Sequence, residues 1–422
     1  MRLASGANVI DVAMVMPPFL RPFFLRPWGG KGKTGRPHHP ACRRTGFHAH
    51  HPAMTGPRYT RLAETLPATV PFVGPETQER ARARSFRARL GANESVFGPS
   101  PAAILAMRQA AQEVWMYGDP ENHDLRAALA DHHGVTPAHV TVGEGIDGLL
   151  GYLVRLLIEP GDAVVTSDGA YPTFNFHVAG YGGVLHKAPY KGDHDDPEAL
   201  VALAAATGAK LVYIANPDNP MGTWHDATVT ARMIEALPEG ALLILDEAYV
   251  DFAPEGTAAA VDADDPRVIR MRTFSKAYGM AGARVGYALG HPGLMSAFNK
   301  IRNHFGVGRI AQAGALAALG DQGHLHLVQR RVAASREDLS RIARLNGLTP
   351  LPSATNFVTM DCGDDGAFAR KVLEGLIARD IFVRMPFVAP QDRCIRVSCG
   401  TAPQNALFGA ALPEALAAAR GG

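Results

Sequence analysis

Short apolar runs alternate with helical stretches or loops through the middle of the chain. The runs are rich in Val, Ile, Leu and Ala and cover residues 139–142, 163–166, 184–187, 210–215, 241–246, 268–271 and 285–289. Nearly continuous apolar strands between amphipathic helices are typical of a mostly parallel sheet covered on both faces. The pattern therefore predicts an α/β fold whose large domain has a mostly parallel seven-stranded sheet flanked by helices.

On either side of this alternation the apolar spacing is helical. It predicts helices over residues 101–113 and 122–133, and a long connecting helix with one break over residues 306–346. The remaining predicted elements are strands at 356–361, 381–384 and 394–398, a helix at 366–379, and a closing Ala-rich helix. Together they predict a smaller α+β C-terminal domain.

The length of the chain, 422 residues, exceeds the usual size of one domain. The expected division is an arm and helix at residues 54–119, a large domain at 120–300, connecting helices at 301–345 and a small domain at 346–422. Residues 1–53 are rich in Pro, Gly, Arg and His and contain eight Lys or Arg but a single acidic residue. We predict that they are a disordered basic extension, dispensable and not necessarily translated, and that the natural start is Met54.

Charge and cysteine content narrow the class of protein. Beyond residue 53 the chain is mildly acidic, which gives no reason to expect a nucleic acid partner. The four cysteines form no CxxC pair or zinc-type spacing, and the histidines of the extension have no partner ligand at metal spacing. No apolar run approaches the roughly 18 residues of a membrane span. We therefore expect a cytoplasmic enzyme with no metal and no membrane contact.

One lysine stands in an unusual setting. Lys276 lies in residues 273–286 (Thr-Phe-Ser-Lys-Ala-Tyr-Gly-Met-Ala-Gly-Ala-Arg-Val-Gly), between two predicted strands. A long amine in a Gly-rich corner suits a Schiff base with a carbonyl cofactor. On this stretch alone, a surface lysine in an ordinary turn is an equally good interpretation.

Further polar loops follow the predicted strands, at the edge where ligands bind to parallel sheets. Residues 143–148 (Gly-Glu-Gly-Ile-Asp-Gly) open a helix and so offer an anion site. The others are 171–174 (Tyr-Pro-Thr-Phe), 216–222 (Asn-Pro-Asp-Asn-Pro-Met-Gly) and 246–249 (Asp-Glu-Ala-Tyr). Each loop has an ordinary explanation as a turn or helix cap, but their order along the chain is specific.

In that order, with Ser-Lys followed by an arginine eight residues after the lysine, the chain resembles the fold-type I aminotransferases that use pyridoxal 5′-phosphate (PLP). The resemblance runs from about Leu90 to the C-terminus. It implies that Lys276 forms the Schiff base and shuttles the substrate proton, and that Asp246 pairs with the pyridinium nitrogen. It further implies that Tyr249 and Asn219 bind the 3′-oxygen and that Phe174 stacks on the pyridine ring.

The same resemblance implies the remaining contacts. The cofactor phosphate is expected at the backbone of Ile146 and Asp147, the hydroxyls of Thr273 and Ser275, and Arg284. Arg396 is expected to bind the substrate α-carboxylate as a bidentate pair. Tyr117 matches a tyrosine that reaches the neighbouring subunit's phosphate site, which implies a homodimer with shared active sites.

Within the superfamily the chain looks most like the histidinol-phosphate aminotransferase branch. The resemblance to this branch lies in residues 90–100, 117–120 and 353–357. It also includes Arg384, which stands where the branch keeps an arginine for the substrate's distal phosphate. The expected partners are a small amino donor and a 2-oxo acid such as 2-oxoglutarate.

Several residues depart from that branch. Phe97 and Met221 replace a usual tyrosine and threonine, and the cofactor loop differs at positions 144, 146 and 148. Losing a hydroxyl in a substrate pocket can change selectivity by orders of magnitude. An aromatic or other amino acid therefore stays open as the donor, and so does a lyase resembling threonine-phosphate decarboxylase. A transcriptional regulator with this domain would need a helix-turn-helix domain, which residues 1–53 do not supply.

Overall fold

A computed structural model describes residues 56–68, 73–260 and 262–421 of the chain. The basic extension predicted for residues 1–53 lies outside the described residues. From Tyr59 onward the chain forms one compact unit. Within the described ranges, no helix combines the length and the apolar character needed to cross a membrane.

The central sheet contains seven strands, as predicted. In chain order the strands of the molecule are β1 (Ala88–Arg89), β2 (Val140–Gly143), β3 (Ala163–Ser167), β4 (Val184–Ala188), β5 (Leu211–Ala215), β6 (Leu242–Asp246), β7 (Val268–Thr273), β8 (Gly286–Gly290), β9 (Thr349–Pro350), β10 (Phe357–Asp361), β11 (Ile381–Phe382) and β12 (Cys394–Ser398). The central sheet has the order β2-β8-β7-β6-β5-β3-β4. Its neighbours are parallel from β4 through β7, and only β8 runs antiparallel to both of its neighbours.

Helices cover this sheet and join it to the rest of the chain. They are α1 (Arg61–Thr65), α2 (Pro75–Arg82), α3 (Pro101–Ala110), α4 (His123–His133), α5 (Gly145–Leu157), α6 (Pro172–Gly180), α7 (Pro197–Thr207), α8 (Ala227–Glu235), α9 (Pro292–Ala297), α10 (Arg309–Gly320), α11 (Gln322–Leu345), α12 (Gly366–Ala378) and α13 (Ala402–Gly421). The break predicted in the connecting helix separates α10 from α11.

Both faces of the central sheet are buried, which explains the continuous apolar runs. Along β5, Leu211 and Tyr213 join a cluster with residues of α5 and α6, whereas Val212 and Ile214 join a cluster with α7 and α8 on the opposite face. A fully buried aliphatic side chain stabilises the fold by about 1.5–3 kcal/mol relative to an exposed one. A polar side chain is therefore tolerated on these strands mainly at their carboxyl ends, where the loops begin.

A smaller sheet near the C-terminus consists of β12, β10 and β9, all antiparallel. Strand β1 pairs in parallel with β11, and the Leu90 carbonyl accepts a 2.8 Å hydrogen bond from the Ser398 amide. Because of these pairings, the segment that follows β1 lies between the two sheets. The expected α+β arrangement of the C-terminal part is confirmed in its strands and helices.

Candidate active site

A cavity of about 360 Å³ opens where the carboxyl ends of β5, β6 and β7 meet the segment after β1. Most of the side chains singled out in the sequence line it. They are Ile146, Asp147, Asn219, Asp246, Tyr249, Thr273, Ser275, Lys276, Arg284, Arg384 and Arg396. The loops that follow successive strands therefore converge as the rule for parallel sheets predicts.

Lys276 is the amine of this cavity. Its Nζ donates a 3.1 Å hydrogen bond to the Asn93 carbonyl and lies 5.5 Å from the centre of the Tyr249 ring. Burial lowers the pKa of Lys276 to about 8, and the charge of Arg396 acts in the same direction. A larger share of neutral amine is thus present near neutral pH than for an exposed lysine, which favours nucleophilic attack on a carbonyl.

Asp246 ends β6 and is 5 % exposed. Its Oδ2 accepts a 2.8 Å hydrogen bond from the Tyr213 hydroxyl, and its Oδ1 accepts one of 3.0 Å from the Ala248 amide. Burial raises the pKa of Asp246 to about 6, while these two donors oppose that rise. The carboxyl group therefore remains mostly ionised at neutral pH, as a partner for a protonated ring nitrogen requires.

The N-terminus of α5 forms an anion cradle at one end of the cavity. No described side chain caps this helix, so its first amides stay available. Arg284 donates to the Ser275 hydroxyl at 3.3 Å and to the Glu144 carbonyl at 3.4 Å. A Cβ on Gly145, whose φ is +80°, would come within 2.5 Å of the Arg284 guanidinium. Only glycine leaves room there for this cation, so the cradle fits a phosphate group.

At this end the Thr273 side chain is oriented differently from the expectation, whereas Asp147 was expected to act through its backbone. Thr273 lines the cavity, but its hydroxyl donates to the Val285 carbonyl at 3.2 Å and accepts from the Ser275 amide at 3.0 Å. Its hydroxyl hydrogen is therefore not directed at a phosphate. The carboxylate of Asp147 lies 2.8 Å from His177 Nε2, so this residue can offer its backbone amide to an anion while its charge faces α6.

Two arginines occupy the opposite end of the cavity. The backbones of Arg384 and Arg396 pair in an antiparallel β-bridge. The Nε atom of each side chain is buried without a hydrogen-bond partner among the described residues. Arg396 also donates to the Asn219 side-chain oxygen and, at 3.2 Å, to the Gly91 carbonyl. Burial lowers the pKa of Arg396 to about 10, which still leaves it charged at neutral pH. Two half-buried cations with open donors suit an anionic substrate.

Phe174 does not occupy the position expected for it. Its side chain is fully buried in the core, where its ring stacks on Tyr213 with centroids 4.7 Å apart. The aromatic rings that line the cavity wall on this side belong to Tyr171 and Tyr213. The expectation that Phe174 stacks on the cofactor is therefore corrected: α6 begins at Pro172, and its first turn directs Phe174 toward the sheet.

Three further sequence-selected residues lie away from this wall. Phe97 packs against the core, and the guanidinium carbon of Arg331 lies 5.8 Å from the centre of its ring. Met221 is fully buried. Neither belongs to the cavity wall formed by the described residues. The Tyr117 side chain is 78 % exposed, and its ring packs on Phe305 with centroids 4.8 Å apart. Hydroxyl losses at Phe97 and Met221 therefore do not change the polarity of this chain's cavity.

Sequence reasoning missed Asn93 and Tyr213. Asn93 has a φ of 56°, its amide side chain donates to the Tyr249 hydroxyl at 3.1 Å, and its carbonyl accepts from Lys276. An Asn after Gly-Ala in a segment without periodicity is a signal for this left-handed conformation. The sequence signal for Tyr213 is weaker: it is a single side chain with a hydroxyl group within an otherwise apolar strand, β5.

The fold and the cavity together match one family. The model of "Aminotransferase class I and II" matches residues 88–411. The chain therefore belongs to the class I and II aminotransferases and is a PLP-dependent aminotransferase. This result confirms the family, the cofactor and the reaction class expected from the sequence, and transamination replaces the lyase and regulator alternatives.

Within that family the chain belongs to the histidinol-phosphate aminotransferase branch. It is similar to the solved histidinol-phosphate aminotransferase of Sinorhizobium meliloti in complex with pyridoxal-5′-phosphate, with 53% identity, 86% of this chain and 99% of that chain covered, and a TM-score of 0.84. It is 34% identical to the histidinol-phosphate aminotransferase of Anaeromyxobacter sp. (strain Fw109-5) over 84% of this chain and 98% of that protein. It is 36% identical to histidinol-phosphate aminotransferase 1 of Nitrosococcus oceani, over 76% of this chain and 86% of that protein.

Proposed function

We propose that this enzyme transfers the amino group of histidinol phosphate to 2-oxoglutarate. The observation that carries the proposal is the pair of half-buried arginines, Arg384 and Arg396, whose buried Nε donors are open in one cavity. One half-reaction has a phosphate monoester and the other a dicarboxylate, so each requires cationic recognition beside the amine. A solved relative that is 53% identical to the chain is named histidinol-phosphate aminotransferase, which supports this donor.

The residues of the cavity divide the chemistry between them. Bound PLP supplies an aldehyde and an electron-accepting ring. Lys276 Nζ would accept the proton from the substrate α-carbon and deliver it to the cofactor carbon C4′, since its burial keeps the amine partly neutral. Asp246 holds a proton on the ring nitrogen, because an ionised carboxylate is the partner that a pyridinium N–H prefers. Tyr249 and Asn219 hydrogen-bond the 3′-oxygen.

Recognition of the two anionic ends follows from charge. The amides at Ile146 and Asp147, the Ser275 hydroxyl and Arg284 would bind the cofactor phosphate. Arg396 binds the α-carboxylate of the amino-acid half-reaction. Arg384 binds the phosphate of histidinol phosphate, and Tyr171 covers the ring face that had been assigned to Phe174.

Replacing Arg384 with alanine tests the substrate. We expect kcat/KM for histidinol phosphate to fall by about 10–100-fold, the usual effect of losing a hydrogen bond to a charged group. Activity toward an aromatic amino donor should change by less than about threefold. The assay measures glutamate formed from 2-oxoglutarate with each donor, and Arg341→Ala, a variant of an exposed arginine paired with Asp338, is the control. An equal loss with both donors, or no loss with either, would contradict the assignment of Arg384.

We also propose a homodimer in which Tyr117 reaches the partner's phosphate cradle. Four apolar side chains cluster on one face with large exposed fractions: Val114 (64 %), Trp115 (80 %), Tyr117 (78 %) and Phe305 (51 %). Exposed aromatic residues in a contiguous group are typical of protein interfaces. A twofold interface brings the same group of both subunits together.

Mixing two defective subunits tests this arrangement. Lys276→Ala subunits and Tyr117→Ala subunits should each be impaired alone, but their heterodimer contains one site with both native residues. Random mixing makes half of the dimers mixed, so the unfractionated preparation should recover about a quarter of the wild-type activity and the purified heterodimer about half. The measurement uses co-expression with two affinity tags and tandem purification. If the purified heterodimer stays as inactive as the better parent, Tyr117 does not act across the interface.

We propose a cytoplasmic location. Among the described residues the cysteines Cys362, Cys394 and Cys399 are buried and free. Unpaired thiols are typical of proteins in a reducing compartment.

A further inference from the structure

Tyr213 connects the core of the sheet to the catalytic carboxylate. It lies on β5, two residues before the strand ends, and its side chain is fully buried. In the register of β5 and β6, Tyr213 faces Ile244 and Ala215 faces Asp246. Side chains two residues apart point to the same face of a sheet. The Tyr213 ring therefore extends along that face, and its hydroxyl reaches Asp246 Oδ2 at 2.8 Å.

The ring of Tyr213 is fixed from behind. Phe174 stacks on it at 4.7 Å with an interplanar angle of 15°. The other oxygen of Asp246 accepts from the Ala248 amide at 3.0 Å. Each carboxylate oxygen thus holds one protein donor before any ligand binds, and each still has a lone pair to offer. The carboxylate is oriented by the chain itself.

We propose that Tyr213 is a positioning residue for the transamination reaction, whose hydroxyl keeps Asp246 ionised and directed at the pyridine nitrogen of PLP. The inference rests on the proposed pairing of Asp246 with that nitrogen. It adds that the Tyr213 hydroxyl orients the Asp246 carboxylate for this pairing. A phenylalanine would fill the same space in the core. The hydroxyl is therefore not needed for packing, and its hydrogen bond ends on a carboxylate in the cavity wall.

Charge around Asp246 shows why this donor matters. Burial disfavours the ionised carboxylate, and the Tyr213 hydroxyl is the largest influence that lowers its pKa, ahead of the Ala248 amide and the Lys276 charge. The titratable groups that face this carboxylate from the surrounding elements are Tyr171, Tyr213, Glu247, Tyr249 and Lys276. Of these, Glu247 raises the pKa of Asp246. Without Tyr213, the protonated acid would persist to a higher pH.

The test is the affinity of the apoenzyme for PLP as a function of pH, measured by titration with PLP and its absorbance, in Tyr213→Phe and wild type. Affinity should decline as pH falls through the pKa of Asp246, because the protonated acid cannot pair with a pyridinium. For wild type this decline should begin near pH 6. For Tyr213→Phe it should begin about one pH unit higher, so the dissociation constant should rise by about twofold at pH 7 and by about tenfold at pH 5.

Two controls make the result specific. Tyr287→Phe removes another buried hydroxyl of the sheet. This hydroxyl lies 3.0 Å from His133 Nε2 and does not belong to the cavity wall, so the variant should leave the pH profile unchanged. Replacing Tyr213 with 3-fluorotyrosine keeps the shape and makes the phenol a stronger donor, so it should move the decline to lower pH. This second variant also answers the case in which Tyr213→Phe does not fold.

Asp246→Asn tests the pairing of Asp246 with the ring nitrogen separately from the positioning of Asp246 by Tyr213. If it abolishes the pH-dependent decline while Tyr213→Phe and the fluorotyrosine leave the profile as in wild type, Asp246 pairs with the cofactor but Tyr213 does not prepare it, and the inference is wrong. If Asp246→Asn itself leaves the profile unchanged, the proposed pairing of Asp246 fails, and the inference fails with it. Opposite shifts for the two Tyr213 variants, with no effect of Tyr287→Phe, would support the inference.

Discussion

Lys276→Ala should remove all measurable turnover together with the visible absorbance of the bound cofactor after dialysis. Lys276 Nζ is the amine that the cavity presents, at 3.1 Å from the Asn93 carbonyl and with a pKa lowered to about 8 by burial. Loss of the proton-transfer group alone costs about 10²–10⁴-fold in rate. The covalent attachment is lost as well, so we expect a fall of at least about 10⁴-fold in kcat.

The matched control for this variant is Lys300→Ala. Lys300 is an exposed lysine outside the cavity, so its removal should leave both the absorbance and kcat as in wild type. Thermal unfolding of both variants checks that the fold is intact. A Lys276→Ala protein that kept the visible absorbance after dialysis would show that another residue holds the cofactor.

Asp246→Asn should lower kcat by about 10²–10³-fold, the usual effect of removing one preorganised electrostatic partner of the reacting centre. An amide has nearly the same shape as the carboxylate but carries no negative charge. It cannot keep a proton on the ring nitrogen, so the ring loses most of its capacity to accept electrons. The measurement compares kcat for half-transamination with affinity for PLP, and both should fall.

Asp251 provides a close match for this variant. It is a second, half-buried carboxyl group whose pKa is raised to about 6 by desolvation, and it lies outside the cavity wall formed by the described residues. Asp251→Asn therefore repeats the chemical change without touching the reacting groups, and we expect kcat to stay within about threefold of wild type. Equal losses in the two variants would indicate a general effect of buried charge instead of a role at the ring nitrogen.

The sheet and most of the cavity could be predicted because they depend on local signals. Buried parallel strands must be apolar along their length, so β5 stands out as an apolar run followed by Asn216, and β6 as one that ends at Asp246. Asp246 is such an end, and the loops that begin there must converge. The anion site at residues 143–148 was also predicted, because a Gly-rich loop leads there into a helix N-terminus.

The errors concern the direction of side chains within a known loop. Residues 171–174 supply two aromatic rings, and the choice between them depends on where α6 begins. One residue of helix turns a side chain by about 100°, so a small shift of the helix start exchanges the ring that faces the cavity. The direction of the Thr273 hydroxyl was also not predictable from local sequence. Its acceptor, the Val285 carbonyl, lies directly before β8, and the antiparallel pairing of β7 with β8 is a contact that local sequence does not identify.

The pairing of β1 with β11 has a consequence for how the enzyme matures in the cell. The wall of the cavity combines a segment near residue 93, the loops after the central strands and Arg396 on β12. A chain emerging from the ribosome can form the central sheet early, because domains tend to fold as they are synthesised. It cannot close the cavity until residues 381–398 have been released. Capture of the cofactor therefore has to wait for residues 381–398, and a nascent chain arrested before β11 should carry a folded sheet without a working site.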